Sequence, residues 1–193
     1  MEDPREVVKQ NTAEAFNFFW ASDYAKNYYV SAGRALLFDH VYKIISNLKP
    51  ISLLDVGCGP GDLLKRDNET PFTVGLDYSV VAARCTQYVS RARPVLADAT
   101  AIPIKSDSFD CVACIETLEH VDFPGIIAKE LERVSRKYVV VSVPDGSTDN
   151  WDGHKHFFDL GKLLSLFDGH LIHHEICQGV ILIVLEVQHD NSN

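Results

Sequence analysis

Apolar side chains near the start of the chain recur at intervals of three and four residues, the period of an amphipathic α-helix. This pattern covers residues 5–48, and Pro50 ends it because proline disfavours the helical conformation of the residue before it. The sequence therefore predicts a helical N-terminal segment. It is rich in aromatic side chains, namely Phe16, Phe19, Trp20, Tyr24, Tyr28 and Tyr29.

After Pro50 the pattern changes to short, fully apolar runs separated by amphipathic stretches. Runs that are apolar at every position are typical of strands covered on both faces, as in a parallel sheet. They predict strands at residues 51–56, 72–76, 94–97, 109–115 and 138–143. The stretches between them predict helices at residues 62–66, 79–90 and 123–136, with Ser79 as an N-cap. Because strands and helices alternate, we expect right-handed βαβ units and a doubly wound sheet.

Two further apolar segments, residues 171–177 and 180–187, flank the dipeptide Gln178-Gly179, which is typical of a tight hairpin turn. The predicted fold class is therefore α/β: a seven-stranded doubly wound sheet, mostly parallel, with a C-terminal antiparallel hairpin and helices on both faces. No repeat or linker divides the chain. We expect one domain over residues 1–193, made of a helical cap segment (1–48) and a sheet core (51–188).

The composition is that of a globular protein, since 46% of the 193 residues are hydrophobic and 23% are charged. The formal net charge of −9 argues against a broad grip on nucleic acid or anionic membrane, which needs clustered lysine and arginine. The longest apolar run, residues 180–185, is far shorter than the about 20 residues of a membrane span. The five cysteines lack the spacing of a secreted scaffold, so the sequence predicts a cytoplasmic protein with reduced thiols.

The first predicted strand leads into a glycine-rich turn, Gly57-Cys58-Gly59-Pro60-Gly61. Glycines permit a sharp turn here and let a ligand lie against bare backbone, next to a helix N-terminus. The spacing G-x-G-x-G differs from the dinucleotide pattern G-x-G-x-x-G because position 62 is Asp, and an acid there would crowd a pyrophosphate. The turn therefore disfavours a nicotinamide or flavin dinucleotide.

An acidic residue, Asp77, ends the second predicted strand, 22 residues after Asp55 of the first. The carboxyl ends of parallel strands meet at one edge of the sheet, where ligands of open α/β folds bind. A carboxylate at that edge can accept hydrogen bonds from both hydroxyls of a ribose. The combination predicts a ligand that contains adenosine and no diphosphate.

Four blocks together resemble the class I S-adenosylmethionine-dependent methyltransferases, in particular the type 11 group similar to ubiquinone and menaquinone biosynthesis methyltransferases. Residues 54–61 match the family's first motif, and residues 74–79 match its second. The third block runs over residues 96–103 and 108–112, and the fourth is residues 116–121. The resemblance covers residues 51–143. It implies a Rossmann-like fold, with S-adenosyl-L-methionine as the cofactor and S-adenosyl-L-homocysteine as the product.

The resemblance implies a role for each matching residue around the methionine part of the cofactor. Gly57, Gly59 and Gly61 would line it, and at Cys58 the backbone would make the contact. Asp55 would hold the ammonium group of the cofactor, directly or through water.

At the adenosine end, the resemblance implies that Asp77 binds the ribose hydroxyls and that Tyr78 lies beside the adenine. Asp98 would accept a hydrogen bond from the adenine amino group. The backbone of Ala99 would face the ring.

The end of the fourth strand would lie nearest to the reaction, with Ile115 and Glu116 bordering the sulfonium and the acceptor. Methyl transfer is an in-line displacement from a charged sulfur, so orientation and water exclusion are the main requirements. If the acceptor must lose a proton, Glu116 and His120 are the candidate catalytic bases, with Glu119 beside them. The loop over residues 144–159 and the N-terminal aromatic segment should cover the site. This loop carries a second polar cluster, consisting of Asp152, His154, His156 and Asp159.

A metal site is an alternative for part of this cluster. Glu116, Glu119 and His120, with His154 or His156, resemble the metal site of the small-RNA 3′-terminal 2′-O-methyltransferases, in which two carboxylates and two imidazoles hold a divalent ion. The same Glu-x-x-Glu-His string is common in metal-free type 11 members, and the chain shows no basic groove for RNA. The sequence therefore favours a site without metal ligands.

The sequence thus predicts an S-adenosylmethionine-dependent methyltransferase that acts on a small-molecule or protein acceptor. Two alternatives stay open: a metal-dependent RNA 3′-terminal 2′-O-methyltransferase, and a non-catalytic S-adenosylmethionine-binding partner subunit. The second arises because no sizeable insertion follows the fifth strand to recognise a substrate. Nucleic acid and membrane are not expected as partners.

Overall fold

The computed structural model describes residues 3–10, 12–23, 25, 32–149 and 151–188. The helices near its N-terminus whose bounds are described include α1 (Pro4–Val8), α2 (Ala13–Ala21) and α3 (Ala32–Leu48). The side chains of Asp3 and Thr12 cap α1 and α2, respectively, by accepting backbone N–H groups. Tyr24, Tyr28 and Tyr29 of the predicted aromatic segment lie outside the described residues. No helix within the described ranges is long and apolar enough to cross a membrane.

The rest of the described chain forms a seven-stranded sheet with further helices. In chain order the elements are β1 (Ser52–Val56), β2 (Phe72–Asp77), α4 (Val80–Val89), β3 (Arg93–Leu96), β4 (Phe109–Ile115), α5 (Pro124–Val134), β5 (Ser135–Pro144), α6 (Leu160–Leu164), β6 (His170–Cys177) and β7 (Val180–Glu186). The strand order is β3-β2-β1-β4-β5-β7-β6. Strand β7 runs antiparallel to β5 and β6, and the other pairs are parallel. The predicted fold class is confirmed.

Two turns in the chain depend on local conformation. Gln178 and Gly179 both have positive φ values, 54° and 76°, which is the two-residue hairpin turn expected between β6 and β7. Ser79 caps α4 as predicted, because its hydroxyl accepts the N–H of Ala82 at 3.2 Å. The conformations and hydrogen bonds of a few adjacent residues therefore specify both the turn and the cap.

The predicted helix over residues 62–66 is wrong, since this stretch is a series of turns. The N–H of Lys65 bonds to the carbonyl of Gly61 at 2.9 Å, but Arg66 and Asp67 bond to acceptors three residues back. Gly61 itself has φ +88°, so the chain enters the stretch outside the helical region. The glycine-rich turn is consequently not followed by a regular helix N-terminus.

The apolar core is divided by the sheet into two clusters. One face packs against α3, and the other packs against α5 and α6. Cys111 lies in the α3 cluster and Cys114 in the α5 cluster, both fully buried. Residues three apart on a strand face opposite ways, so these two thiols serve as core side chains on separate faces. With both faces covered, the ligand-binding region lies at the edge where the strands end.

Candidate active site

The carboxyl ends of β1, β2 and β4 bring the predicted site residues to one edge of the sheet. Asp55 of β1 lies opposite Gly75 of β2 and Ala113 of β4. Beyond this edge lies a cavity of about 740 Å³. That size is typical of small-molecule and cofactor sites. The predicted residues that line it are Asp55, Gly57, Cys58, Gly59, Asp77, Tyr78, Asp98, Ala99, Ile115, Glu116 and His120.

Gly61 is the one predicted cofactor-binding residue that is not part of the cavity wall. A methyl group on it would lie 3.1 Å from a side-chain carbon of Val89 and 3.2 Å from the Cα of Thr86. Gly61 therefore lets the turn pack closely against α4. Close packing against α4 therefore explains why position 61 is a glycine.

The other two glycines of the turn face the cavity. Gly57 has φ +74°, and a methyl group there would lie 2.4 Å from Oγ1 of Thr117. Gly59 has φ +51°, and its methyl group would lie 3.2 Å from the ring of Trp20. Both positions thus combine a left-handed backbone with a close neighbour, conditions that favour glycine. Trp20 places α2 directly over the turn.

Asp77 links the glycine-rich turn to the start of α4. Its Oδ2 accepts the N–H of Gly59 at 2.9 Å, and its Oδ1 accepts the N–H of Ser79 at 2.8 Å. The side chain is buried, and burial raises its pKa against the opposing effect of these backbone hydrogen bonds. Asp77 therefore holds the turn in shape while it borders the cavity.

Asp55 is a buried acid at the floor of the cavity. Burial, followed by the negative charges of Asp77 and Asp62, raises the pKa of Asp55 to about 8. At neutral pH the protonated form of Asp55 is therefore favoured. A ligand cation beside Asp55 would stabilise the ionised form instead, which is the physical condition for recognition of an ammonium group.

The adenosine end of the predicted site is formed by Tyr78, Asp98 and Ala99. The ring centroid of Tyr78 lies 5.5 Å from that of Phe16 on α2. Asp98 accepts hydrogen bonds at 2.8 Å from both the N–H and the hydroxyl of Thr100, and so caps a short 3-10 turn. These contacts fix the positions of the groups that border this end of the cavity.

Glu116 follows β4 in a left-handed conformation, with φ +52°. Its N–H bonds to the carbonyl of Ser142 at 3.0 Å, and its Oε1 accepts the hydroxyl of Ser142 at 2.9 Å. Burial raises the pKa of Glu116, while the charge of Arg34 and the hydroxyl of Ser142 oppose the rise. A strained residue held by two bonds is typical of a functional position.

Glu119 and His120 lie one turn further on. Burial raises the pKa of Glu119 well above its usual range, and the negative charge of Glu116 adds to this effect. Burial lowers the pKa of His120 to about 3, and the charges of His154 and Arg34 add to this effect. His120 is therefore a neutral imidazole at physiological pH, and its ring lies 6.0 Å from that of Phe16.

The loop after β5 folds over this part of the cavity, as predicted. Its two ends meet where the N–H of Gly146 bonds to the carbonyl of Phe158 at 2.7 Å. Its middle is fastened to the carbonyl of Glu119 by the N–H groups of Lys155 and His156, at 2.8 and 3.2 Å. The loop residues that reach the cavity are Asp149, Trp151 and His154.

Only His154 of the predicted polar cluster in this loop reaches the cavity wall. Asp152 pairs with Lys9 at 2.8 Å, and Asp159 caps α6 by accepting the N–H of Lys162 at 2.7 Å. His156 packs near the ring of Phe158, with centroids 6.0 Å apart. The tertiary structure thus separates residues that the sequence placed together.

Several cavity residues were missed by the sequence analysis as site residues, among them Arg34, Asp62 and Asp149. Asp62 entered the analysis only as an argument against a dinucleotide. Arg34 lies on α3, with its guanidinium 5.0 Å from the ring of Phe38, and belongs to no motif. No local sequence signal marks Arg34 or Asp149, because distant segments bring them to the cavity.

A family model described as a methyltransferase domain matches residues 54–141, from within β1 to within β5. This match supports the resemblance of the segment to the type 11 methyltransferases. The matched segment includes the glycine-rich turn, Asp77, Asp98 and the end of β4. The match confirms the predicted methyltransferase domain and, with it, S-adenosyl-L-methionine as its cofactor.

Two curated proteins are similar in sequence. An uncharacterized protein of Methanocaldococcus jannaschii is 30% identical over 142 residues, which are 69% of this chain and 60% of that protein. Norajmaline N-methyltransferase of Rauvolfia serpentina is 30% identical over 110 residues, which are 52% of this chain and 37% of that enzyme. The match therefore spans less than two thirds of the length of either relative.

Solved structures show the same fold at low sequence identity. Magnesium protoporphyrin IX methyltransferase from Synechocystis PCC 6803, with bound S-adenosylmethionine, has a TM-score of 0.73 and 12% identity, covering 97% of this chain and 99% of that chain. A complex of the Trm112 methyltransferase activator and a Haloferax volcanii methyltransferase contains a chain with a TM-score of 0.63 and 15% identity, covering 74% and 84%. These likenesses extend the methyltransferase fold over most of the chain.

Proposed function

We propose that this methyltransferase binds S-adenosyl-L-methionine in the cavity at the strand ends and transfers its methyl group to a small-molecule or protein acceptor. The observation that carries the proposal is the meeting of Asp55, the glycine-rich turn and Asp77 at one cavity wall. The buried carboxyl group of Asp55 matches the ammonium group of the cofactor, and the bare backbone of the turn matches the rest of its methionine part. The carboxyl group of Asp77 matches the ribose.

The proposed orientation follows from the order of groups along the cavity. Tyr78, Asp98 and Ala99 would border the adenine. With the adenine in that position, the sulfonium would lie beside Ile115 and Glu116. The acceptor would then enter between the β4 end and the aromatic side chains of α2. Since Phe16 and Trp20 also line the cavity, they would exclude water from the reacting atoms.

We propose Glu116 as the base where the acceptor must lose a proton. Burial raises its pKa, and a carboxylate with a raised pKa accepts a proton more readily than an exposed one. His120 was the other predicted base. Because burial lowers the pKa of its imidazole, His120 is the weaker proton acceptor, and Glu116 would take the proton of the acceptor.

Titration of S-adenosylhomocysteine into the purified protein, followed by calorimetry, tests the proposed cofactor site. We expect one-to-one binding with a micromolar dissociation constant. Asp77→Asn should weaken binding at least tenfold, because a charge-assisted hydrogen bond contributes about 1.5–3 kcal/mol. Asp110→Asn is the matched control, since Asp110 lies at the start of β4, away from the cavity. Absence of binding by a folded wild-type sample would contradict the proposal.

A panel of amines, phenols and thiols, incubated with S-adenosylmethionine and analysed by mass spectrometry, tests transfer. The two alternatives give different results. Terminal 2′-O-methylation of small RNA that vanishes on chelation would support the RNA enzyme. A protein that binds cofactor but methylates nothing until a second protein is added would support the partner subunit, a possibility also raised by the activator complex of the Haloferax volcanii methyltransferase.

A further inference from the structure

The amide side chain of Asn17, on α2, joins this helix to the start of α4. Its Oδ1 lies 2.7 Å from the hydroxyl of Ser79 and 3.3 Å from the N–H of Val81. A backbone N–H can only donate, so the atom that faces both groups must be the amide oxygen. The hydroxyl of Ser79 accepts the N–H of Ala82, and its own proton therefore goes to Asn17. One oxygen of α2 thus accepts two hydrogen bonds from α4 and its cap.

The two groups that Asn17 contacts directly follow the predicted adenosine-binding residues. Ser79 comes after Asp77 and Tyr78, and its N–H donates to Oδ1 of Asp77 at 2.8 Å. Asn17 itself does not line the cavity, so it touches neither cofactor nor acceptor in the proposed arrangement. Any effect of Asn17 on methyl transfer must therefore pass through the helix that carries it.

That helix spans the cavity from the adenosine end to the acceptor end. The ring of Phe16 lies 5.5 Å from that of Tyr78 and 6.0 Å from that of His120, measured between centroids. Trp20, one turn further along α2, covers Gly59, where an added methyl group would lie 3.2 Å from the indole ring. The position of α2 therefore decides where both aromatic walls of the cavity stand.

Burial in the main core does not fix this position. Within the described ranges, the apolar side chains of α2 belong to neither of the two clusters that pack on the sheet. They form a small separate cluster, in which Phe16, Trp20 and Trp151 pack against Phe19 and Ala25. Segments with few buried apolar contacts open locally at a low cost in free energy. Directed hydrogen bonds consequently matter more for α2 than for a helix of the core.

We propose that Asn17 is a positioning residue for methyl transfer, which anchors α2 to the adenosine-binding segment and so holds Phe16 and Trp20 over the acceptor half of the cavity. The inference rests on the proposed function, because it places the cofactor beneath α2. Its consequence for the chemistry is the exclusion of water, since undocking of α2 would open the reacting atoms to solvent.

The geometry also states which side chains can replace Asn17. Only the oxygen of the amide acts, so a side chain of the same size with an acceptor at that place should serve. Aspartate meets this condition, and its negative charge is favourable beside the N-terminus of α4. Alanine removes the acceptor and keeps the helix.

Hydrogen exchange of backbone amides, followed by mass spectrometry, tests the anchor, because exchange within α2 requires its local opening. In Asn17→Ala we expect the amides of residues 13–21 to exchange about five- to hundredfold faster, the effect of two lost hydrogen bonds. The amides of β4 should keep their wild-type rates. Asn17→Asp should restore slow exchange of α2. Asn47→Ala is the matched control, since Asn47 is an exposed asparagine of α3.

The same measurement with saturating S-adenosylhomocysteine connects the anchor to the cofactor. Exchange of α2 in the wild type should become slower, because the bound molecule would lie beneath this helix. Calorimetry on the same samples shows whether S-adenosylhomocysteine binds, which tests the proposed function separately.

The possible results separate the two proposals. Wild-type exchange of α2 in Asn17→Ala, or fast exchange that persists in Asn17→Asp, would overturn the anchor. Equally accelerated exchange of α2 and β4 would also overturn it, since the role would then be general stability. Binding of S-adenosylhomocysteine without slower exchange of α2 would overturn the placement of α2 over the cofactor. A folded wild type that binds no S-adenosylhomocysteine would instead contradict the proposed function, and with it the role in methyl transfer.

Discussion

Replacing Asp55 by Asn should stabilise the protein measured without cofactor and should weaken cofactor binding. The pKa of Asp55 is raised from 3.8 to about 8 by burial and by the neighbouring carboxylates. Below pH 3.8 the acid is protonated in both the folded and the unfolded chain, and its stabilising effect is complete. Between pH 3.8 and pH 8 only the folded chain keeps the proton, so stability falls as the pH rises.

The magnitude follows from this pKa difference. Each unit corresponds to about 1.4 kcal/mol, so the loss accumulated between pH 3.8 and pH 7 has an upper limit of about 4 kcal/mol. Asn is uncharged and of similar shape, and it avoids this loss. We expect Asp55→Asn to raise the free energy of unfolding at pH 7 by at least about 1 kcal/mol, or a few degrees in Tm. The gain should shrink toward pH 4.

Cofactor binding should change in the opposite direction, because the ammonium group of S-adenosylhomocysteine loses its charged partner. We expect at least tenfold weaker binding in Asp55→Asn at pH 7.5. Wild-type affinity should also rise between pH 6 and pH 7.5, since binding requires Asp55 to release its proton. The variant should show a smaller pH dependence.

Urea unfolding at several pH values and calorimetric titration provide the two measurements. Asp110→Asn is the control: Asp110 is equally buried but pairs with Arg136 at 3.1 Å, so its substitution should not stabilise the protein or change cofactor affinity. A destabilised Asp55→Asn variant with unchanged affinity would refute the reasoning.

Two further predictions concern the turn and the cap. Gly57→Ala should lower the free energy of unfolding, measured in urea, by about 2 kcal/mol or more, because φ is positive there and the added methyl group would collide with Thr117. Gly125→Ala should leave that free energy unchanged, because no atom lies within 4 Å of the methyl group that it adds. Ser79→Ala should cost about 1 kcal/mol through the lost cap of α4, and an unchanged Tm would contradict the cap.

Features that depend on neighbours in sequence were predictable. The hairpin turn at Gln178 and Gly179 and the cap at Ser79 depend on the conformations and hydrogen bonds of a few adjacent residues. The strands were recognisable because fully apolar runs can be buried on both faces only inside a covered sheet. Once the strands are parallel, their carboxyl ends must share one edge, so the meeting of Asp55 and Asp77 followed from the pattern.

Other features depended on where distant segments pack. Residues 62–66 carry a helical pattern but form turns, because the chain enters them through Gly61, whose φ and contact with α4 are tertiary properties. Of the two histidines considered as ligands, His154 reaches the cavity and His156 does not, a difference made by the path of one loop.

The sequence by itself determined the fold class of the sheet, the shared edge at which its parallel strands end and the resemblance to the methyltransferase family. It did so because backbone propensity, burial on two faces and motif spacing are local or periodic properties. Only the tertiary structure decided which side chains line the rest of the cavity. Arg34 from α3 and Asp149 from the loop after β5 are 115 positions apart and carry no motif. Such residues meet through packing of whole elements, and no short stretch of sequence records that packing.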